Sequence, residues 1–488
     1  MVKRLLLILL CICMLLPMAV SCKKESEDKT GPVGTVSSLD DDSIPDNVGD
    51  ARFDGVDITF AVRDAEDYIA EFFSDTTDSK IDGAVFKREV AIEERLGINL
   101  EYIKYTMGTS NEAFNTSIRN GIISGSAEFS IVANYAYFST PITIEGLYAN
   151  ICTMPYITLS NPWYSQSFVE EVTYKDRLYL LTGEMCMSST EYIVGMFYNN
   201  DLAAAKGINQ NLYGVVADGD WTLEYFKRLI ANVYEDVDGR GTQDPDDVYG
   251  LIIGGGAPPI DQLLYATGFR FTERNSAGEI EVNIKSASNV ASFAAIHDLF
   301  HKTPGVGFFP EYLHLVDLID YFKDSGGIFM ITQLKSARKD FTDLEFSYGL
   351  LPLPKLDENQ TEYYSFTGDA YSNISVVHNA ANKEAIGAVI EVMSRMSYYD
   401  LRPVVFEEVY KYRYFDQPEM AAVFDTIVDS RVFEFGAIYT NALDNPIFTM
   451  RKAMNQTSNM FSSTAQSENT KMKTNLPKVL DALAKGPI

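Results

Sequence analysis

Apolar and polar positions fall into blocks along this chain, and the spacing inside each block names an element. Residues 55–62 (GVDITFAV) form a β-rich run the length of one strand. Residues 83–97 (GAVFKREVAIEERLG) carry apolar side chains at three- and four-residue spacing and stop at a glycine, the pattern of an amphipathic helix. INLEYIKY (98–105) reads as a second strand, so the opening predicts a βαβ unit. A helix candidate, NEAFNTSIRNGIISG (111–125), then leads into the apolar run FSIVANYAYFS (129–139). Alternation of this kind predicts an α/β lobe whose sheet is mostly parallel and whose ligands bind beyond the strand carboxyl ends. That rule places Tyr135 and Tyr137 at a cleft.

After PYITLSNPWYSQ (155–166) the pattern starts again. The β-rich EYIVGMFYN (191–199), the helix candidate DWTLEYFKRLIANVYED (220–236), and the strands VYGLIIGGG (248–256) and GGIFMIT (326–332) predict a second α/β lobe. FSYGLLPLPK (346–355) is a strand and proline turn, and YSNISVV (371–377) runs into the helix NKEAIGAVIEVMSRMS (382–397). From Leu401 the chain reads as mainly helical, ending in LPKVLDALAKG (476–486). No internal repeat is visible.

The N-terminus changes the picture of where this chain resides. Lys3 and Arg4 precede a short apolar run up to Leu16, then MAVSC, which is the layout of an export signal. Ala19, Val20, Ser21 and Cys22 resemble a bacterial lipobox, in which the cysteine is lipidated and becomes the mature N-terminus. The following stretch to residue 50 is polar, acidic and poor in large apolar side chains, so it reads as a tether. Cys11 and Cys13 leave with the signal, and Cys152 and Cys186 either pair or stay as small buried residues. A formal net charge of -28 excludes a nucleic-acid partner held through phosphates, which needs a basic face. It also speaks against an anionic ligand held by charge alone.

Three stretches carry candidate chemistry. In YEDVDGRGTQDPDDVYG (234–250), counting from Asp236 sets Asp238 at position 3, Gly241 at 6, Thr242 at 7, Asp244 at 9 and Asp247 at 12 of a calcium-binding loop. Arg240 stands at position 5, where an oxygen ligand belongs, so the stretch reads either as a weak structural Ca2+ site or as a solvated acidic turn. HDLFH sets His297 and His301 on one helix face, but Asp298 replaces the glutamate base of a zinc protease and only a folded-back His314 could supply a third ligand. GGGAPP (254–259) lacks the Gly-Lys-Ser/Thr ending of a phosphate loop and reads as a turn.

The order of the pieces resembles the extracellular solute-binding lipoproteins of bacterial ABC importers, in the family that mostly carries sugars. GMFYNNDLAAAKGI (195–208) looks like that family's signature, with Ala203 where a larger apolar residue is usual. The tryptophan-threonine helix start at Trp221, the acidic loop before Tyr249-Gly250, LLPLPK with ISVVHNAANKEAIGAVIEVMS, and IVDSRVFEFGAIY (427–439) resemble further segments of its long subgroup. The resemblance implies a two-lobed α/β periplasmic-binding-protein-like fold with a cleft between the lobes and crossing hinge strands. It implies no catalysis, a monomer anchored by lipid on the outer face of the cell membrane, and delivery of a solute to permease subunits. The expected layout is a signal peptide (1–21), a tether (22–50), a first lobe (51–165 and about 366–400), a second lobe (166–365) and a helical C-terminal segment (401–488).

Sugar sites join aromatic faces to acids and amides. Topology offers Tyr135 and Tyr137 after a strand, Trp163 with Tyr164 near the crossover, Glu184, Trp221 at a helix start, and Asp369 and Tyr371 at the return crossing. Trp221 reads more readily as a hydrophobic staple or packing residue beside its helix start. Two rival functions remain open: a surface glycosidase or esterase, and a binding protein that feeds a sensor.

Overall fold

The computed structural model describes residues 44–105, 111–312, 314–368, 370–415 and 417–487. The expected signal peptide, Cys22, nearly all of the tether and Asp369 lie outside them. Asp46 onward forms one folded unit.

Thirteen strands are described among these residues. Chain order gives β1 Asp57–Arg63, β2 Asn99–Tyr105, β3 Ile131–Asn134, β4 Val194–Asn199, β5 Tyr249–Gly254, β6 Thr272–Arg274 and β7 Ile280–Val282. These are followed by β8 Val306–Phe309, β9 Gly327–Gln333, β10 Tyr348–Leu351, β11 Ser365–Phe366, β12 Asn373–Val376 and β13 Arg431–Val432. The first sheet has the order β12-β3-β1-β2, with β1 parallel to β2 and β3, and β12 antiparallel to β3. The second has the order β10-β4-β9-β5-β8, in which β9, β5 and β8 run parallel while β4 runs antiparallel to both its neighbours, β9 and β10. Every residue of β4 and β5 is buried, as the continuous apolar runs require of strands covered on both faces.

Helix Lys80–Leu96 shows how the sequence pattern becomes packing. The Ser79 hydroxyl accepts the Asp82 N–H at 3.1 Å to start it, and Gly97, at φ 70°, closes it in a conformation that side chains with a Cβ resist. Its buried Val85, Ile92 and Leu96 share one face, and that side of the first lobe is shared with helix Lys383–Met396, contributed by the returning chain. Two expected elements come out shorter. The run 129–139 is a strand only to Asn134, whose Oδ1 takes the Tyr135 N–H at 2.9 Å, and helix Ala136–Ile144 begins at once. The helix predicted to reach residue 236 is Leu223–Ile230, because Glu235 pairs with Val248 in an antiparallel bridge that closes the acidic loop.

Among the described residues, three connections join the two sheets. The outgoing and returning chains run antiparallel to each other, bridged at Leu181 with Ile374 and at Ile193 with Thr367. Within the outgoing chain, Gly183 bridges Tyr164 so closely that a Cβ there would sit 2.3 Å from the Trp163 carbonyl oxygen, so only glycine fits. The third connection follows helix Lys383–Met396 through a helical run to Tyr414, and helix Pro418–Asp429 then packs on β10. β13 pairs with β11, after which helices Phe435–Ile438, Pro446–Met454 and Phe461–Lys485 lie against helices of both lobes. Cys152 and Cys186 are both free thiols.

Candidate functional site

Where the two sheets and the C-terminal helices meet, a cavity of about 40 Å3 opens. Its walls come from four parts of the chain. Ala136 and Tyr137 belong to the helix that leaves β3, and Asp261, Gln262 and Tyr265 to helix Ala257–Ala266, which leaves β5. Phe366 and Tyr371 come from the return crossing. Ala437, Ile438, Thr440, Ile447 and Arg451 come from the C-terminal helices. Both helices that leave a strand do so at its carboxyl end, the place where open α/β sheets bind ligands.

Aromatic faces make up much of the lining. Tyr265 stacks on Phe366 at a centroid separation of 4.0 Å, and Tyr137 lies 5.7 Å from Phe448. Arg451 makes a two-pronged ion pair with Asp261, Nε to Oδ1 at 2.7 Å and Nη2 to Oδ2, with the guanidinium 4.6 Å over the Phe448 ring. Three buried polar atoms on the wall, Gln262 Oε1, Tyr265 Oη and Thr440 Oγ1, have no hydrogen-bond partner among the described residues. Buried polar groups are nearly always paired, so unpaired ones gathered on a cavity wall mark a place for water or a ligand. Burial pushes the Tyr265 phenol well above its ordinary range, so it stays a neutral donor and acceptor. Glu434 fixes the nearby turn: its carboxylate takes the N–H groups of Gly436 at 3.0 Å and Ala437 at 2.6 Å, as well as the Thr272 hydroxyl at 2.6 Å.

Of the residues singled out from the sequence, Tyr137 and Tyr371 meet at this cavity. Tyr135 stands just before its helix, with its ring 5.0 Å from the Arg63 guanidinium and 4.8 Å from Phe138. Trp163 is fully buried at the crossing, and Glu184 beside it faces Arg402 at 3.8 Å. Trp221 is buried in the second lobe against Phe226 and Phe329 and donates its indole N–H to the Pro352 carbonyl at 2.9 Å. None of these four lines the cavity. The sequence reading did not single out Asp261, Gln262, Tyr265, Phe366, Thr440 or Arg451. For the first three a signal existed: GGGAPP ends β5 and starts a helix with Pro258 near its first turn, so APPIDQLLYA had to begin at a strand's carboxyl end.

The histidine pair does structural work. The His297 and His301 rings lie 4.3 Å apart, tilted by 33°, and their Nε2 atoms bond the carbonyls of Gln456 and Met454, each at 2.9 Å, at the end of helix Pro446–Met454. In the acidic loop, carboxylate oxygens of Asp236, Asp238 and Asp247 lie within 4.8 Å of one another. Asp236 caps the N–H groups of Gly239 and Gly241, while Arg240 pairs with Asp238 at 2.8 Å and Asp244 at 3.1 Å. Asp247 is buried and takes the Tyr234 hydroxyl at 2.9 Å, whereas Thr242 is exposed.

No family model and no curated protein matches the sequence. Solved structures do match. The sugar-binding protein MalE from Xanthomonas citri aligns with a TM-score of 0.58 at 12% identity, over 88% of this chain and 98% of that one. An ABC substrate-binding protein from Listeria monocytogenes in complex with cycloalternan aligns with a TM-score of 0.56 at 15% identity, over 87% and 100%. UgpB from Mycobacterium tuberculosis in complex with glycerophosphocholine aligns at 0.56 and 11%, over 87% and 99%. The chain therefore has the two-lobed fold of these binding proteins, as the order of its elements led us to expect.

Proposed function

We propose that this chain is the solute-capturing component of an ABC importer and that its ligand is a neutral carbohydrate. The observation that carries this reading is the cavity between the sheets, where Tyr137, Tyr265, Phe366 and Tyr371 supply ring faces and Gln262, Tyr265 and Thr440 hold unpaired polar atoms. Rings stack on the apolar face of a pyranose, and such polar atoms exchange hydrogen bonds with its hydroxyls. The likeness to sugar-binding structures supports the same reading.

Ligand pockets usually enclose about 300–1,000 Å3. A cavity of about 40 Å3 holds a few waters, so a sugar enters only when the walls part and close again over it. Binding without turnover fits the lining as well. Among the described residues of the cavity wall Asp261 is the one carboxylate, and it is committed to Arg451, whereas glycoside hydrolysis ordinarily needs two carboxyl groups flanking the bond. We propose further that Cys22 carries lipid and holds the protein on the outer face of the membrane, and that the loop of Asp236, Asp238, Thr242, Asp244 and Asp247 takes Ca2+ weakly, in competition with Arg240.

Thermal-shift screening of the purified protein against a neutral mono- and oligosaccharide library tests the proposal. A ligand at a hundred times its dissociation constant stabilises the fold by about 2.7 kcal/mol. A hit recovered chemically intact after long incubation supports capture. Hydrolysed product at enzymatic rates, or no hit in the library, refutes it.

A further inference from the structure

Beside the cavity, at the root of the two antiparallel crossings, lies a buried polar knot. Glu71, 1% exposed, belongs to the first lobe, between β1 and helix Lys80–Leu96. One carboxylate oxygen takes the backbone N–H of Ser188 on the outgoing crossing at 3.0 Å. The other takes the hydroxyl of Ser372 on the returning crossing at 2.7 Å. The crossings are also tied to each other: the Ser372 N–H donates to Ser188 Oγ at 2.8 Å, and the Thr182 hydroxyl donates to the Ser372 carbonyl at 2.9 Å. Arg63, at the end of β1 and equally buried, donates to Ser372 Oγ at 2.9 Å and to the Ala370 carbonyl at 3.3 Å while Tyr68 covers its guanidinium at 3.4 Å. One carboxyl group thus binds both crossings to the first lobe.

We propose that Glu71 is a positioning residue for ligand capture, setting the angle of the two crossings through Ser188 and Ser372, and that opening of the lobes is coupled to loss of its proton. The proposal rests on the reading that the two lobes open and close around a ligand. Rotation about the crossings carries Ser188 and Ser372 away from Glu71 and lets water reach it.

Burial, the largest influence, raises the Glu71 carboxyl from its ordinary 4.5 to about 7, against the lowering pull of Ser372, Ser188 and Arg63. The other groups that face it are Arg88 on helix Lys80–Leu96, and Cys186 and Tyr192 on the outgoing crossing. The sign follows from proton counts. The closed form holds the proton up to about pH 7, and a hydrated Glu71 in the open form releases it near 4.5. Closure is therefore favoured in full below that lower value and is lost as pH rises through the higher one, by at most about tenfold per pH unit because a single proton is involved.

Small-angle scattering of the ligand-stripped protein from pH 4 to 8 at fixed ionic strength reads the equilibrium without needing a sugar, so it fails separately from the sugar screen. The radius of gyration should rise between about pH 5 and 7 and level off above. Glu71→Gln keeps a side chain of the same shape and should flatten the curve. Ser372→Ala removes a bond that favours the ionised carboxyl and should move the midpoint to higher pH. Glu434→Gln, which removes the other buried carboxyl raised to about 7, should leave the transition in place. A pH-independent wild type, or the same rise in Glu71→Gln, overturns the proposal. If Glu71→Gln does not fold, an unmoved midpoint in Ser372→Ala overturns it instead.

Discussion

Removing the carboxylate of Asp261 should destabilise the fold far more than an ordinary surface ion pair would. The pair it makes with Arg451 is two-pronged, and the side chains are only 9% and 15% exposed. Asp261→Ala leaves a guanidinium that has given up most of its water facing a hole, a change that costs about 3–5 kcal/mol for fully buried pairs. The 15% exposure of Arg451 lets it recover some hydration, which sets the expectation at about 3 kcal/mol. The folded unit Asp46–Ile488 unfolds with an entropy of roughly 0.9 kcal/mol/K at typical per-residue values, so the melting temperature should fall by about 3 °C. Arg451→Met alone should cost a similar amount, since it takes the two-pronged cation away from a buried carboxylate. The double variant should recover most of the loss, because a buried ion pair replaced on both sides by apolar groups is often close to neutral. Scanning calorimetry on the four proteins gives the coupling directly. A drop below 1 °C for Asp261→Ala, or a double variant that loses the sum of the two single changes, would show that the pair does not hold helix Ala257–Ala266 to helix Pro446–Met454 as described.

Three further changes test other parts of the account. Trp221→Phe should lower stability by about 1–3 kcal/mol, since the Pro352 carbonyl loses its buried donor and a cavity opens beside Phe329, while affinity for any sugar found in the screen stays within twofold; a large loss of affinity would put Trp221 back in the site. Cys22→Ala should shift the protein from the membrane to the soluble fraction on cell fractionation, and retention in the membrane would rule out the lipid anchor. Arg240→Asn should tighten Ca2+ binding measured by calorimetry, because it removes the cation paired with Asp238 and Asp244 and adds an oxygen at the fifth loop position; Ca2+ binding absent from both proteins at millimolar concentration would leave the loop a solvated turn.

Local periodicity carried the fold a long way. The strands at 57–63, 99–105 and 327–333, and helix Lys80–Leu96, lie within a few residues of the bounds that alternation and capping suggest, because each is fixed by neighbours in sequence. What periodicity missed was set by distant partners. The run 129–139 is mostly apolar, and the junction at Asn134 divides it into strand and helix. Part of the cavity lining was legible from topology, at Tyr137 and Tyr371 but not Tyr135, and the rest was opaque where pairing across long separations decided. Arg451 joins Asp261 from 190 residues away, and no local pattern announces that meeting. Trp163 and Trp221 attracted attention as large aromatics, yet both are fully buried away from the cavity, where size favours packing as much as recognition.

The antiparallel seam between β4 and β10 has a consequence for how the molecule is built in time. The first sheet needs β12 beside β3, and nearly 240 residues separate Asn134 from Asn373. All five strands of the second sheet lie within the intervening chain, and its seam sets Met196 opposite Leu351, so folding that lobe brings the chain's points of entry and exit side by side. The loop left to close then shrinks to about 80 residues, which lowers the entropic cost of the β3–β12 pairing by roughly 1 kcal/mol. We infer that the lobe encoded later in the chain folds first and acts as a clamp on which the earlier one is completed. Pulse-labelled hydrogen exchange during refolding should protect amides of β4 and β9 before those of β3, and the reverse order would show that the first lobe closes without that help.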